Sequence, residues 1–140
     1  MSDEQKKDDG LTYLDTGEVL YPDLYLLSET DEKGIVSYAS DGFYRIANMT
    51  KEDLIDQPHN VVRHPDMPRA AFKSLWDGAQ SKGFWTGFVK NQRKGGGYYW
   101  VFATVLKRID KSGKISYVSI RTKPSRDDIA KAEELYKTLD

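Results

Sequence analysis

The chain has 140 residues, a formal net charge of -1 and no cysteine. This length suits one domain with its own hydrophobic core. The balanced charge gives no field that would attract nucleic acid or an acidic membrane surface. Because cysteine is absent, disulfides, thiolate metal sites and thiol redox switching are excluded, so any redox sensing must use a bound cofactor.

The first 22 residues are expected to form an arm or cap. Residues 1–10 are almost entirely polar and charged, which predicts a disordered lead-in. Residues 11–22 carry irregularly spaced apolar side chains that suit a short cap on the next segment. No stretch approaches the roughly 18 to 20 apolar residues that a membrane helix needs, so we expect the chain to be cytoplasmic.

Two short β-type runs follow the arm, at Asp23–Glu29 and Gly34–Tyr38. The TDEKG sequence between them suits a tight turn, so the two runs predict a hairpin. Helical spacing of apolar residues then predicts a short helix over Asp41–Asn48. A second short helix is expected to begin at a capping-box pattern headed by Thr50.

The segment Gln57–Pro68 contains three of the five prolines and both histidines. This composition predicts a loop with at most one short turn. A longer helix is expected over Pro68–Ser81, with the proline tolerated at its first position. Its inward-facing residues recur at helical spacing and are Phe72, Leu75, Trp76 and Ala79.

Three aromatic and β-branched runs, joined by glycine-containing turns, predict consecutive antiparallel strands at Phe84–Asn91, Tyr98–Lys107 and Ile115–Lys123. A last helix is expected to begin at Ser125, with an apolar stripe that needs a partner surface. The element order predicts an α+β fold, a five-stranded antiparallel sheet with short helices on one face. We divide the chain into an arm (1–22), a core domain (23–124) and a C-terminal helix (125–140).

Two sequence segments carry a resemblance to a known family. The sequence QPHNVVRHPDMPRAA, at Gln57–Ala71, resembles the signature loop of PAS domains of bacterial aerotaxis receptors, and FWTGFVKNQRKGGGYYWV resembles the paired strands that follow it. The likeness extends from Asp31 to Arg121. It implies the PAS fold and a non-enzymatic domain that binds FAD, senses redox state or oxygen, and signals to chemotaxis machinery. It also implies a PAS or receptor signalling domain as partner, and a receptor that could tether the domain to the inner membrane.

The strand that begins at Phe84 offers a candidate pocket wall. Alternation along the strand places Trp85, Gly87, Val89 and Asn91 on one face. Trp85 can stack on a ring, Gly87 leaves space for a ring to approach the backbone, and the Asn91 amide can both donate and accept. Together they suit a flavin. The alternative is a core tryptophan and a turn-end asparagine.

The proline-rich loop offers polar groups for the rest of a dinucleotide. Arg63 can contact phosphate, and Asp66 can orient Arg63 or accept from a ribose hydroxyl. His59 and His64 can stack or donate. The alternative is a network of salt bridges and caps in which these residues satisfy one another ahead of the helix.

The resemblance assigns cofactor contacts to seven residues: His59, Arg63, His64, Asp66, Phe72, Trp85 and Asn91. Trp76 belongs to the core stripe, but in so thin a domain the core is also the pocket wall. Trp76 and Ser40 are therefore also expected at the cofactor, although Ser40 is a departure, because the resembled receptor has asparagine there. Serine keeps a hydrogen-bonding group but is shorter and lacks the amide.

Other readings of the same residues remain open. A PAS sensor could bind haem b through His59 or His64. A ligand-free module could use its sheet face and last helix for dimerisation. A metal site at His59, His64 and Asp66 is a further alternative. No motif of a catalytic triad or phosphate loop favours an enzyme, and blue-light sensing through a cysteine adduct is excluded.

Two surface sets complete the sequence-based expectations. A basic cluster at one hairpin turn consists of Lys90, Arg93 and Lys94. Its two interpretations are a site next to a pyrophosphate and an ordinary solvated turn. Outward-facing side chains on the sheet are expected to contact a partner, and these are Phe88, Tyr117 and Ser119.

Overall fold

A computed structural model describes residues 26–139. Before them it describes only the backbone of three short strands, β1 (Lys6–Asp8), β2 (Leu11–Tyr13) and β3 (Val19–Leu20), which form one antiparallel sheet in that order. The predicted arm therefore lies mostly outside the described residues, as does the predicted strand start at Asp23.

The five-stranded antiparallel sheet predicted from the sequence is confirmed. Its spatial order is β5-β4-β8-β7-β6, with every neighbouring pair antiparallel. The strands are β4 (Leu26–Asp31), β5 (Val36–Ala39), β6 (Phe84–Gln92), β7 (Tyr98–Ile109) and β8 (Ile115–Thr122). Long-range pairing between β4 and β8 joins the first hairpin to the last three strands in one sheet.

The predicted hairpin turn between β4 and β5 is confirmed. Asp31 Oδ1 accepts hydrogen bonds from the backbone N–H of Lys33 at 2.8 Å and of Ile35 at 3.0 Å. Gly34 has a φ of +84°, which L side chains rarely adopt. Together these features make the turn both tight and specific to its sequence.

Helices cover one face of the sheet, as predicted. They are α1 (Asp41–Ala47), α2 (Lys51–Leu54) and α3 (Arg69–Lys82), with a 3-10 turn over His59–Val62. The capping box at Thr50 is present, with both hydrogen bonds to Asp53 formed. Pro68 is the N-cap of α3 and not its first helical residue. The proline-rich segment is otherwise loop, so the chain passes along the sheet edge before α3 begins.

The inner face of the sheet differs from the prediction at β8. Tyr117 is 5% exposed and Ser119 is 9% exposed, and both face the helices, so their predicted outward placement is wrong. Their neighbours Val118 and Ile120 take the outer face. Polar residues thus face inward on this strand and aliphatic ones face outward. This is the reverse of the usual pattern, in which apolar side chains face the core.

The free edge of β6 is covered from two directions. The backbone N–H of His64, in the proline-rich loop, donates to the Lys90 carbonyl at 3.2 Å. Helix α4 (Arg126–Tyr136) begins at the N-cap Ser125, as predicted, and the Tyr136 hydroxyl donates to the Phe88 carbonyl at 2.6 Å. The Tyr136 ring also stacks on Trp100. The last helix therefore finds its partner surface on β6 and β7.

None of the helices in the described part of the chain combines the length and the apolar character needed to cross a bilayer.

Candidate functional site

A cavity of about 220 Å³ lies between the inner face of the sheet and the helices. This exceeds the roughly 150 Å³ that admits a single benzene ring. Its mouth is marked by the exposed residues Lys33, Pro58 and Asn60. The walls come from β4, the proline-rich loop, α3 and the three long strands. The other lining residues are Ser28, Thr30, Gly34, His59, Val62, Arg63, Phe72, Leu75, Trp76, Val89, Asn91, Ala103, Val105, Tyr117, Ser119 and Arg121.

A buried arginine, Arg121, is part of the cavity wall. Its side chain is 7% exposed, and its Nη2 donates to His59 Nε2 at 2.8 Å. The Ser28 hydroxyl lies 3.0 Å from the same imidazole nitrogen. The guanidinium also lies 4.8 Å from the centre of the Phe43 ring, and Nη1 makes a long contact of 3.4 Å with the Ser119 carbonyl. All of these partners are uncharged.

Burial changes the ionisation of this cluster. Burial, together with the smaller effect of the neighbouring Arg121 charge, lowers the pKa of His59 to about 3. The imidazole is therefore neutral at physiological pH and accepts at Nε2. Burial also lowers the pKa of Arg121 to about 10 and raises that of Tyr99 to about 12. The arginine thus remains charged.

Aromatic rings form the opposite wall of the cavity. The guanidinium of Arg63 lies 4.7 Å from the centre of the Phe72 ring. Trp76 meets Tyr117 edge to face, with ring centres 5.3 Å apart. The Trp76 ring also passes close to Gly34, where a Cβ atom would lie only 3.0 Å from it. Glycine at this turn therefore serves the packing of the wall as well as the turn.

The buried polar groups of the cavity indicate a ligand with hydrogen-bonding edges. Asn91 is 3% exposed and lines the cavity from β6. The Thr30 hydroxyl is buried, lines the cavity from β4 and has no hydrogen-bond partner among the described residues. Buried polar groups normally find partners. With the aromatic wall, this donor set fits a planar ring that bears carbonyl and N–H groups, as a flavin does.

Five of the nine predicted site residues line the cavity. They are His59, Arg63, Phe72, Trp76 and Asn91. The structure does not bring Ser40, His64, Asp66 and Trp85 into its lining. Whether any of the nine contacts a cofactor stays a prediction.

Trp85 and Gly87 have a different relationship from the expected one. The space above Gly87 is filled by the Trp85 indole, so that a Cβ atom on Gly87 would meet that ring. Trp85 Nε1 also donates to the Ser74 hydroxyl at 3.3 Å. The glycine therefore accommodates a ring as predicted, but in this structure the ring belongs to Trp85.

The loop residues Asp66 and His64 form contacts other than the predicted ones. Asp66 pairs with Lys90 at 2.9 Å and does not orient Arg63, which lies instead on Phe72. His64 Nδ1 accepts from the Asp66 backbone N–H at 3.0 Å, so the histidine caps its own turn. The expected self-satisfying network thus accounts for these two residues, while Arg63 faces the cavity.

Ser40 and the basic cluster have structural partners. The Ser40 hydroxyl accepts from the Leu27 backbone N–H at 3.0 Å, which connects the start of α1 to β4. Lys94 pairs with Asp53 at 2.9 Å, and Arg93 is 6% exposed. The three predicted cations are therefore not a shared solvated patch.

The metal-site alternative is not supported. Within the described residues, no group of three histidine, aspartate or glutamate side chains could hold a metal ion. His59 is directed at Arg121, whereas His64 and Asp66 lie at the sheet edge. The loop therefore separates the three residues that the sequence places together.

Sequence reasoning missed Arg121, the buried cation of the site. Arg121 precedes a polar TKPSR segment, and a charged residue near a strand end usually faces solvent. The signal that was available is alternation, because Tyr117, Ser119 and Arg121 must share one face. Fixing the phase of β8 from its pairing with Ser28 and Thr30 would have placed all three inside.

Comparisons with known proteins identify the fold of this chain. A family profile described as the PAS fold matches residues 36–121. The chain belongs to the PAS family. This PAS domain is 45% identical over 121 residues to the aerotaxis receptor of Escherichia coli (strain K12), a match that covers 86% of the chain and 24% of that receptor. It is 24% identical over 91 residues to the nitrogen fixation regulatory protein of Klebsiella oxytoca, covering 65% of the chain and 18% of that protein. The chain spans a quarter or less of the length of these relatives.

Solved structures give the same fold. The PAS domain matches a light-oxygen-voltage domain studied with a flavin analogue, with a TM-score of 0.66, 20% identity, and coverage of 81% of this chain and 85% of that one. It also matches the light-state structure of the blue-light photoreceptor Aureochrome1 LOV, with a TM-score of 0.65, 24% identity, and coverage of 81% and 91%. The expected PAS fold is therefore confirmed.

Proposed function

We propose that this PAS domain binds FAD in the cavity and serves as a non-enzymatic sensor of redox state or oxygen. The observation that supports the proposal best is the combination of Asn91 and Arg121 with an aromatic wall, inside a domain 45% identical to an aerotaxis receptor. The ring of the cofactor would occupy the cavity. Arg63 and Lys33, near the mouth, would offer cations to the pyrophosphate.

The signal is proposed to leave through β6. A change in hydrogen bonding at Asn91 would alter a strand whose Lys90 and Phe88 carbonyls hold the proline-rich loop and α4. The recipient would be a receptor signalling domain or a second PAS domain in the cytoplasm. It would relay the state of the cofactor to chemotaxis machinery. The division into arm, sensor domain and C-terminal signalling helix belongs to this proposal.

Haem is a weaker candidate for the same cavity. His59 is the histidine of the lining, and its Nε2 atom already faces Arg121 Nη2 at 2.8 Å and the Ser28 hydroxyl at 3.0 Å. Axial ligation through Nε2 would displace both donors and leave a buried cation without that acceptor. A ligand-free interaction module is also less well supported, because it would leave the Thr30 hydroxyl buried and unpaired.

An absorption spectrum of the purified protein tests the proposal. We expect flavin bands that bleach with dithionite and return in air, whereas a Soret band would support haem. Asn91→Ala should lower FAD affinity at least tenfold. Lys94→Ala is the matched control, because Lys94 is exposed and pairs with Asp53 outside the cavity. A colourless protein that cannot be reconstituted with FAD would contradict the proposal, and equal affinity in both variants would remove Asn91 from the site.

A further inference from the structure

The charge of the cavity is unbalanced. Its lining includes the cations Lys33, Arg63 and Arg121, and among the described residues no carboxylate lines it. The remaining ionisable groups of the lining are His59 and Tyr117, both neutral at physiological pH. Lys33 is exposed at the mouth, where solvent screens its charge. Arg63 is half-buried and Arg121 is 7% exposed, so Arg121 carries the positive charge of the buried end.

Arg121 is the group that makes this imbalance costly. An arginine that is 7% exposed normally pairs with a carboxylate or a phosphate, because an uncompensated buried charge is expensive. Here the guanidinium contacts the neutral His59 imidazole, the Phe43 ring and the Ser119 carbonyl. Tyr99, the ionisable group that acts on Arg121, has a pKa raised to about 12 and supplies no negative charge at physiological pH. Among the described residues, none that contacts the guanidinium balances its charge, and an anionic group in the cavity would do so.

Resting on the proposed flavin, we propose that Arg121 is the counter-cation for the reduced cofactor and keeps it in its anionic form. Reduction from a donor such as dithionite delivers two electrons. One proton from solvent then gives a ring of net charge -1, whereas a second proton would neutralise it. A fixed cation beside the ring stabilises the anion and makes the second proton harder to add. Arg121 would thereby also favour reduction itself.

His59 has a supporting part in this arrangement. Its Nε2 atom accepts from Arg121 and so fixes the direction of the guanidinium. Because His59 is neutral, it adds no second cation and no proton source at this end of the cavity. Removing the Arg121 charge would make His59 easier to protonate, since that charge is one of the two causes of its lowered pKa. A test must therefore control for His59.

The test measures how many protons are taken up per two electrons, from the pH dependence of the midpoint potential between pH 5.5 and 8. We expect one proton in the wild-type protein and two in Arg121→Gln at the acidic end. At pH 7 and a fixed potential, the ratio of reduced to oxidised cofactor should fall at least tenfold in this variant. Arg121→Lys keeps the charge and should retain one proton. Arg108→Gln, which removes an exposed arginine paired with Glu29, is the matched control.

Each outcome of this experiment is decisive. If Arg121→Gln and Arg121→Lys bind FAD and titrate alike, Arg121 does not set the charge and the inference is wrong while the proposed function stands. A wild-type protein without flavin overturns both. The comparison is repeated with His59→Gln in each protein, so that protonation of His59 cannot replace the missing charge. If Arg121→Gln retains no cofactor, the other two proteins decide the matter. Uptake of two protons per two electrons by the wild-type protein overturns the inference. Uptake of one proton by both the wild-type protein and Arg121→Lys supports it.

Discussion

The Tyr136 hydroxyl donates a 2.6 Å hydrogen bond to the main-chain carbonyl of Phe88. This bond joins the last residue of helix α4 to strand β6. The next residue of that strand, Val89, lines the cavity. Because the contact is to the main chain, it responds to movement of β6 itself and not to the identity of the Phe88 side chain. It connects the proposed cofactor site to α4 directly.

Tyr136→Phe tests that connection. The substitution removes one hydrogen bond but keeps the stacking on Trp100, so we expect a loss of about 1 kcal/mol in the free energy of unfolding. Amide hydrogen exchange should increase across α4. Tyr38→Phe is the control, because Tyr38 is 51% exposed. Unchanged exchange in α4 would show that the helix does not depend on this contact.

Gly87→Ala tests the packing of Trp85 on β6. A Cβ atom at Gly87 would clash with Trp85 Cη2, so the indole must move. We expect a loss of roughly 1–3 kcal/mol in the free energy of unfolding and a shift in tryptophan fluorescence. Trp85→Leu should relieve the clash, so the double variant should lose less than the sum of the two single variants. Strict additivity would contradict the contact.

The ionisation of His59 predicts a pH dependence of stability. Its folded-state pKa, about 3, lies below the usual 6.5 of the unfolded chain. The contribution that this difference in the pKa of His59 makes to the free energy of unfolding is therefore fully present above pH 6.5, and it is lost progressively as pH falls towards 3. By nuclear magnetic resonance, the His59 ring should not titrate between pH 5 and 8. His64→Gln identifies its signal, since the chain has two histidines, and a His59 midpoint near 6.5 would contradict the buried pair.

Ser40→Ala separates folding from cofactor binding. The hydroxyl accepts from the Leu27 N–H, so its loss should lower the free energy of unfolding by about 1–3 kcal/mol. FAD affinity should remain as in the wild-type protein, because Ser40 does not line the cavity. Ser37→Ala, on the exposed side of β5, is the stability control. A tenfold loss of FAD affinity in folded Ser40→Ala would place Ser40 in the site.

The fold was largely predictable because its signals are local. Glycine turns, the capping box at Thr50 and the stripe on α3 each depend on a few neighbouring residues. The phase of β8 was not predictable in this way. The polar cavity reverses the usual distribution, so that Ser119 faces inward and Val118 outward. Only pairing with β4, about 90 residues earlier, determines which face is which.

The candidate site was predictable in part for the same reason. Asn91 and Phe72 follow from alternation and helical spacing, and both line the cavity. The partner of Asp66 did not follow, because Arg63 is its neighbour in the sequence, whereas Lys90 lies on β6 and is brought to Asp66 only by the fold. Arg121 and His59 lie 62 residues apart, so their contact has no sequence signature.

The covering of β6 has a further consequence for how much of this chain can be removed. β6 is a nine-residue strand at the edge of the sheet, rich in aromatic and β-branched residues near its start. An uncovered edge of this kind offers a template on which another polypeptide can add a strand, the first step of aggregation. A chain truncated after Thr122 would expose the Phe88 carbonyl and should precipitate at concentrations at which the full chain remains dispersed.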